Sequence, residues 1–386
     1  MSGPPPVLPY GRQWVSEEDV EAVAAALRSD WLTTGPAVPR FERALAEAVG
    51  VPHAVVLNSG TAALHAMYAA LGVGPGDEVV TSPLTFAATA NAAHYLGARV
   101  RFVDVEPRTG NLDPERLDAA IGDKTRLVVA VDFAGHPADY PALQQICDAR
   151  GVTLVGDASH SLGARLGGTP VGRLCHATVV SMHPVKPITT GEGGAVLTAD
   201  AAVARAVASF RSHGFERDPD RLENRDEGPW HVEQHVLGFN YRLTDIQAAL
   251  GASQLTRLEA FLARRAELAA RWTAALADLP GLILPEVRPG VESGWHLYVV
   301  RTVDPALRRP FVEALRAVGL GVQVHYLPVY RHPWYRDHGY AAVSCPHAEA
   351  WYARCLSLPL YPRLSDEEHA SAIERVREVW RHIQCA

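Results

Sequence analysis

Closely spaced cysteines are missing from this sequence, whose five cysteines stand far apart and form no CxxC pair. An odd number without such spacing predicts neither a disulfide framework nor a zinc site, and it favours reduced thiols. No stretch approaches the ~18 consecutive apolar residues that a membrane span requires. The N-terminal segment also lacks the basic and then apolar pattern of a secretory signal. We therefore expect a cytoplasmic protein that is neither secreted nor inserted into a membrane.

Basic residues are also outnumbered. The 36 lysines and arginines face 43 acidic residues, which gives a formal net charge of -7. Nucleic-acid binding needs clustered cations that displace counterions from phosphates, so this charge argues against nucleic acid as a partner. The pair Arg264 and Arg265 is interpreted as a solvated helix face. None of the 17 histidines has HxxxH or HExxH spacing, so no metal site is predicted and most are expected to be surface or hydrogen-bonded structural residues.

Short β-branched runs alternate with helical periodicity from about residue 36 onward. The runs are HAVVLN, DEVVTSP, RVRFVDV, RLVVAVDF, TLVGDAS, HATVVSMH and GGAVLTAD. This βαβ rhythm predicts an α/β fold with a mostly parallel sheet covered by helices. A helical pattern from Thr244 to Leu276 is expected to connect this unit to a small α+β domain. That domain would contain strands in GLILPEV, WHLYVVRTV and VQVHYLPV and a final helix from Asp366 to Ile383.

Three segments that follow predicted strands carry residues suited to binding a ligand. NSGTAALH, residues 58 to 65, opens a helix, so Gly60 and Thr61 could cradle a phosphate or merely accompany a helix cap. Asp157 ends a strand and could pair with the protonated ring nitrogen of a pyridine cofactor, or cap a following helix. Phe86 could stack on an aromatic ligand or belong to the core. Each segment alone leaves both alternatives open.

Lys186 lies in SMHPVKPITTGEGGAV, residues 181 to 196, between two prolines. Such an apolar, rigid turn suits a Schiff-base lysine, because desolvation favours the neutral amine. An isolated loop lysine would instead be a solvated surface charge. The chain order of Gly60, Asp157, Ser181 and Lys186, each at the end of a strand of one predicted sheet, favours the catalytic interpretation.

Together these segments resemble the DegT/DnrJ/EryC1/StrS family of sugar aminotransferases over nearly the whole chain. The similar strings are PYGRQWVSEEDVEAV, SDWLTTGP, NSGTAALH, DASHSLGA, SMHPVKPITTGEGGAV, RSHGF, GFNYRLTDIQAALG and GVQVHYLPVY, in the family order. The resemblance implies the type I (aspartate aminotransferase) fold of pyridoxal-phosphate-dependent transferases, with a mostly parallel seven-stranded sheet in the large domain and a smaller α+β C-terminal domain. The expected divisions are an N-terminal segment at 1–20 that packs with the small domain, a large cofactor-binding domain at 21–255 and a small domain at 256–386.

The family resemblance also implies a cofactor, pyridoxal 5'-phosphate, and roles for individual residues. Lys186 would be the catalytic residue, bonded to the cofactor. The residues expected to bind the cofactor are Gly60, Thr61, Ala62, Phe86, Asp157, His160, Ser181, Lys186 and, from a second subunit, Asn240. Those expected to contact the sugar nucleotide are Tyr10, Trp31, Leu32, Thr33, Thr34, His325, Tyr326, Leu327 and Pro328. A homodimer with shared active sites is implied as well.

The activity implied by the resemblance is transamination from L-glutamate to a 4-keto-6-deoxy sugar carried by a nucleotide. PLTFAATANAA, VDFAGHPAD and HPVKPITTGEGG are most similar to the branch that makes UDP-4-amino-4,6-dideoxy-N-acetyl-L-altrosamine, an intermediate of pseudaminic acid synthesis. A 3- or 4-aminotransferase for a dTDP sugar of an antibiotic remains an alternative. A sugar dehydratase of the family, which has histidine in place of the lysine, and a non-catalytic binding module are both disfavoured by Lys186.

Overall fold

Seven short apolar strands form the central sheet of the computed structural model, which describes residues 7–385. They are β1 His53–Leu57, β2 Glu78–Thr81, β3 Arg99–Phe102, β4 Thr125–Val131, β5 Thr153–Asp157, β6 Ala177–Ser181 and β7 Gly194–Thr198. Their order across the sheet is β1–β7–β6–β5–β4–β2–β3. Only β7 runs antiparallel to its neighbours; the other pairs are parallel. The predicted α/β class and all seven predicted runs are confirmed.

Helices cover both faces of the sheet. The helices of this part of the chain are α1 Glu17–Arg28, α2 Ala37–Val49, α3 Gly60–Ala70, α4 Ala88–Tyr95, α5 Pro114–Leu117, α6 Tyr140–Arg150, α7 Ala201–Arg211 and α8 Asp245–Leu255. Val55 belongs to the hydrophobic cluster of α3, α4 and α7, whereas Val56 belongs to that of α2 and α8. Successive strand residues thus point to opposite, covered faces, as expected for a parallel sheet buried on both sides.

The helical pattern from Thr244 to Leu276 proves to be two helices. Helix α8 ends at Leu255, and α9 spans Leu258–Leu276. At the break, the Thr256 and Arg257 amides donate to carbonyls three residues back, which tightens the backbone out of the α-helical pattern. Arg257 also pairs with the buried carboxylate of Asp19 in α1. The break therefore lies where the chain is held against the first helix.

The C-terminal part, called the small unit below, consists of a small antiparallel sheet and surrounding helices. Its strands are β8 Leu282–Ile283, β9 Tyr298–Thr302 and β10 Cys355–Leu358, and its helices are α10 Arg308–Ala317, α11 Pro333–Tyr335, α12 Pro346–Arg354 and α13 Asp366–Cys385. Two-residue strand pairs join Leu8–Pro9 to Leu320–Gly321, Phe215–Glu216 to Glu233–Gln234, and Arg165–Leu166 to Thr169–Pro170 and Val291–Glu292. The α+β character and the final helix agree with prediction.

VQVHYLPV, residues 322 to 329, does not form the predicted strand. Gln323 makes one isolated bridge to Ser357, and the following residues turn toward the cavity described below. The regular strand at this place is β10, which the sequence reading did not identify. Leu8 packs in the same hydrophobic cluster as Trp272 and Trp380, so the beginning of the described chain lies against the small unit. Residues 1–6 of the expected N-terminal segment lie outside the described range, and the limits of the domains stay predictions.

Candidate active site

The carboxyl ends of β1, β5 and β6 meet at one edge of the sheet, where a cavity of about 660 Å³ opens toward the small unit. Strand carboxyl ends are the usual ligand-binding edge of open α/β sheets. The residues predicted for the site that line this cavity are Tyr10, Gly60, Thr61, Phe86, Asp157, His160, Ser181, Lys186, His325, Tyr326 and Leu327. Residues from six separate stretches of sequence are thereby brought to one place.

A cradle for an anion is formed where β1 passes into helix α3. The Ser59 hydroxyl caps the helix by accepting a hydrogen bond from the Ala62 amide at 3.0 Å. A β-carbon on Gly60 would lie 3.1 Å from Cβ of Ser181, and one on Gly194 would lie 2.6 Å from the Ser59 carbonyl oxygen. Glycine therefore keeps the turn narrow. The helix N-terminus, with its positive dipole end, faces the cavity and suits a phosphate group.

Asp157 lies at the end of β5 and is 5% exposed. Its Oδ2 accepts a hydrogen bond from Thr89 Oγ1 at 2.6 Å, and its Oδ1 accepts one from the Ser159 amide at 3.1 Å. The Thr85 hydroxyl lies 2.8 Å from that of Thr89, which extends the chain of hydroxyls behind the carboxylate. Residues 159 to 163 form turns and no helix follows the strand, so the alternative role of a helix cap is wrong. The carboxylate is held in one orientation at the cavity wall.

Lys186 lies in the turn after β6, and its amide donates to the His183 carbonyl at 2.9 Å. The amine makes no side-chain hydrogen bond to any of residues 7–385. Burial lowers the pKa of Lys186 to about 8; nearby Asp157 opposes this shift, and Arg265 adds to it. The Lys186 amine is therefore neutral in a large share of the molecules near pH 8, as a nucleophile or base requires.

Three neutral histidines surround this lysine. Burial lowers the pKa of His160 and of His296 well below the usual range, and that of His325 to about 4, with the positive charge of Lys186 adding to each shift. The rings of His160 and His296 lie 4.4 Å apart, measured between centroids. These three histidines line the cavity and are exceptions to the expectation that most of the 17 are surface or hydrogen-bonded structural residues.

His160 lines the same cavity as Lys186. The Tyr326 hydroxyl lies 3.1 Å from His160 Nε2, and burial raises the pKa of Tyr326 far above its usual value, so the tyrosine keeps its proton. The buried Nδ1 of the same ring has no hydrogen-bond partner within residues 7–385. An unpartnered polar atom on a ring that lines the cavity with Asp157 and Lys186 fits a site for a polar aromatic ligand such as a pyridoxal ring.

Phe86 and Tyr10 border the same cavity. Phe86 is 63% exposed, which contradicts the alternative of a core residue and leaves its ring available to a ligand. Its ring centroid lies 6.3 Å from that of Tyr326. Tyr10 lies 5.3 Å from the His325 ring, and the His325 Nδ1 lies 2.8 Å from the Ser357 hydroxyl. Two aromatic side chains thus stand at the border of a site whose floor is polar.

Seven predicted residues are absent from the lining of this cavity. Trp31, Leu32, Thr33, Thr34 and Asn240 are exposed elsewhere on the surface, and Ala62 is buried, with its amide bonded to Ser59. Pro328 also lies outside the lining, beyond Leu327. The structure of one chain therefore brings together the predicted catalytic centre but only part of the predicted substrate contacts.

Other lining residues were not predicted. His183, Glu192, His296, Gln323 and His332 all reach the cavity. His296 lies just before β9, and a histidine directly before a buried strand was the available signal. Arg265, expected on a solvated face, is 1% exposed, which corrects that interpretation; its partner in the pair, Arg264, does lie at the surface.

Residues 7–385 contain no group of three or more histidine, cysteine, aspartate or glutamate side chains placed to hold a metal ion. None of the described helices is both long and apolar enough to cross a membrane.

Comparison with known proteins gives the family of the chain. The model of the DegT/DnrJ/EryC1/StrS aminotransferase family matches residues 13–377. The chain is 38% identical over 379 residues to the spore coat polysaccharide biosynthesis protein SpsC of Bacillus subtilis, which covers 96% of this chain and 97% of SpsC. The solved structure of Helicobacter pylori PseC, an aminotransferase involved in the biosynthesis of pseudoaminic acid, matches with a TM-score of 0.91 and 31% identity over 97% of this chain and 100% of PseC.

A second solved structure extends the comparison. DesI, determined in the presence of its TDP-sugar product, matches with a TM-score of 0.86 and 30% identity over 98% of this chain and 94% of DesI. The similarity to PseC agrees with the branch named from the sequence. The chain belongs to the DegT/DnrJ/EryC1/StrS aminotransferase family and is a transaminase with pyridoxal phosphate as its cofactor.

Proposed function

We propose that this aminotransferase transfers an amino group from L-glutamate to C4 of a nucleotide-linked 4-keto-6-deoxy sugar. The expected substrate is a UDP-4-keto-6-deoxy sugar of the N-acetyl-L-altrosamine type. The observation that carries the proposal is the placement of the half-buried Lys186 amine, the fixed Asp157 carboxylate and the glycine-lined helix N-terminus in one cavity. The likeness to PseC supports the sugar class.

Different residues of the cavity would bind the phosphate, the ring face and the ring nitrogen of the cofactor. The α3 N-terminus at Gly60 and Thr61 and the Ser181 hydroxyl would hold the phosphate, and Phe86 would stack on the ring. The Asp157 carboxylate would keep a proton on the ring nitrogen. When bound, pyridoxal phosphate withdraws electrons from the carbon that loses its proton. Thr89 and the Ser159 amide keep the carboxylate pointed at that nitrogen.

Lys186 would transfer protons between the reacting carbon atoms of the two substrates. Its amine has a pKa of about 8, so it is neutral often enough to take a proton from the α-carbon of glutamate and to return one to the sugar carbon in the second half of the reaction. His160, His296 and His325 remain neutral in this range and add no competing positive charge. Tyr10, His325, Tyr326 and Leu327 would orient the sugar nucleotide at the mouth of the cavity.

A 3- or 4-aminotransferase for a dTDP sugar is the second candidate. The likeness to DesI, whose structure was determined in the presence of its TDP-sugar product, favours it. Both candidates use the same cofactor residues, so the difference must come from the rim of the cavity. Purified enzyme should be assayed with glutamate against matched UDP- and dTDP-4-keto-6-deoxy sugars, with kcat/KM as the readout. A preference for the dTDP sugar would overturn the UDP proposal.

The chain offers a clean test of Lys186, because it contains two lysines, Lys186 and the exposed Lys124. Borohydride reduction of the holoenzyme followed by peptide mapping should attach the cofactor to the peptide that contains Lys186. Lys186→Ala should lose the bound chromophore and nearly all turnover, whereas the control Lys124→Ala should keep both. Transamination that survives in Lys186→Ala would refute the proposed role.

We further propose a cytoplasmic homodimer in which Asn240 serves the neighbouring cavity. Asn240 is exposed in its own chain, and the ten residues before it in the sequence include the exposed apolar side chains of Leu237 and Trp230, which are 84% and 78% exposed. Such apolar exposure is typical of a subunit interface. In the cytoplasm the free thiols of Cys147 and Cys355 would stay reduced.

Complementation tests whether Asn240 acts across the interface. Lys186→Ala and Asn240→Ala should each be impaired, but a mixed dimer would contain one site with an intact lysine from one chain and an intact asparagine from the other. Co-expression should therefore restore activity to about a quarter of the wild-type sites, the statistical yield of random pairing. If Asn240 acts within its own chain, the mixture gains nothing. Gel filtration of a fully active monomer would also refute the dimer.

A further inference from the structure

Arg265 is a buried cation on helix α9, with 1% of its surface exposed. Its Nη1 donates hydrogen bonds to three backbone carbonyls, those of Trp295 at 3.2 Å, His296 at 3.3 Å and Leu360 at 3.0 Å. Its Nη2 reaches the carbonyl of Val185, the residue before Lys186, at 3.4 Å. One guanidinium therefore joins the lysine turn to the segment that carries His296.

No carboxylate in the described part of the chain neutralises this charge. Among residues 7–385, Arg265 forms no salt bridge, and its Nε has no hydrogen-bond partner. A buried cation without an acid is costly, and carbonyl dipoles compensate only part of the lost hydration. A methionine or leucine would fill the same core position at lower cost. This buried charge is hydrogen-bonded to Val185, the residue before the catalytic lysine, so its presence calls for a reason other than stability.

We propose that Arg265 is a positioning residue of the transaminase, which fixes the Lys186 turn through the Val185 carbonyl and holds a second positive charge beside the lysine amine. The proposal rests on the role of Lys186 given above. A nearby cation disfavours protonation of the amine, which leaves more of it free to act as a base.

The groups that face the Lys186 amine set the direction of the effect. Asp157 favours the protonated amine, whereas Arg265 opposes it. His160, His296 and His325 couple to the amine but stay neutral near pH 8, because burial lowers their pKa values below that range. Arg265 is thus the permanent cation that counters Asp157.

The test is a pH titration of the visible absorbance of the holoenzyme, which reports the proton on the Lys186 nitrogen, together with the pH profile of kcat. Arg265→Gln keeps amide donors but removes the charge, and Arg265→Lys keeps the charge but loses the planar donor fork. Arg264→Gln is the matched control, since Arg264 lies next in the helix and pairs with Glu267 and Asp366 at the surface.

In Arg265→Gln the spectral midpoint and the acidic limb of kcat should both move up by about one pH unit, the size expected for one nearby charge. A pKa of about 8 for Lys186 then implies that kcat at pH 8 falls about fivefold and recovers at higher pH. Arg265→Lys and Arg264→Gln should keep the wild-type midpoint.

Two outcomes would overturn the inference. Arg265→Gln could lower kcat equally at every pH with an unchanged midpoint, which is the behaviour of a merely structural residue. Alternatively, Arg265→Lys could shift the midpoint as much as Arg265→Gln, which would show that the charge is not responsible. Failure of the Lys186 role itself is separate, because the wild-type enzyme would then show no cofactor linkage to the Lys186 peptide.

Discussion

Replacing Thr89 with valine should impair the reaction without touching the cofactor directly. Thr89 is fully buried, and its hydroxyl donates to Asp157 Oδ2 at 2.6 Å. Valine has nearly the same shape, so the core would stay filled while Oδ2 loses its donor from the chain. A hydrogen bond to a charged group is worth about 1.5–3 kcal/mol. A loss of about 2 kcal/mol corresponds to roughly a 30-fold change in an equilibrium or a rate.

The loss should appear at Asp157. The Ser159 amide still holds Oδ1, but one donor at 3.1 Å leaves the carboxylate free to rotate away from the ring nitrogen. We therefore expect Thr89→Val to lower kcat about 30-fold and to weaken cofactor binding, measured by steady-state transamination and by absorbance titration. Thr89→Ser keeps the hydroxyl and should stay within a few-fold of wild type. Equal rates in the valine and serine variants would refute the positioning role of the hydroxyl.

Three further outcomes follow from the same geometry. Because the Lys186 pKa is about 8 and the base must be neutral, kcat should rise with pH through about 8 and fall tenfold per pH unit well below it; a flat pH profile from 6 to 9 would contradict this. Gly60→Ala places a β-carbon 3.1 Å from Cβ of Ser181, so the cofactor dissociation constant should rise about tenfold, as measured by equilibrium dialysis. Asp19→Ala removes the buried carboxylate that pairs with Arg257 and accepts from the Gln254 amide, and it should cost about 3 kcal/mol, seen as a lower Tm in calorimetry with unchanged kcat.

The sheet could be predicted from the sequence because each strand is a short apolar run bounded by turn residues. Burial on both faces requires such runs, and their alternation with helices fixes a parallel arrangement. The carboxyl ends of the strands then meet at one edge without any further information. This is why Gly60, Asp157, Ser181 and Lys186, far apart in the chain, could be assigned to one site before their positions were known.

The small unit was less predictable because some of its segments with a strand-like pattern line the cavity and do not pair in its sheet. VQVHYLPV has the alternation of a strand, yet His325 and Tyr326 turn their side chains to the site and leave the pairing to β10. Thr89 gave no local signal either, since its role depends on a hydrogen bond across 68 residues of sequence. Tertiary contacts of this kind override local pattern.

The burial of Arg265 is a different case, because the helical periodicity of α9 indicated it. The charge of the side chain led to the opposite prediction of a surface residue. The buried positions of α9 are Leu258, Phe261, Arg265, Leu268, Ala269, Trp272 and Leu276, spaced by three and four residues along one stripe. Arg265 occupies a core position of that stripe, whereas Arg264 falls one position outside it. Treating the two as a pair of surface charges ignored this difference. A cation on the apolar stripe of a helix, with no acid to meet it, must find carbonyl oxygens, and here those carbonyls belong to the turn of Lys186 and to His296.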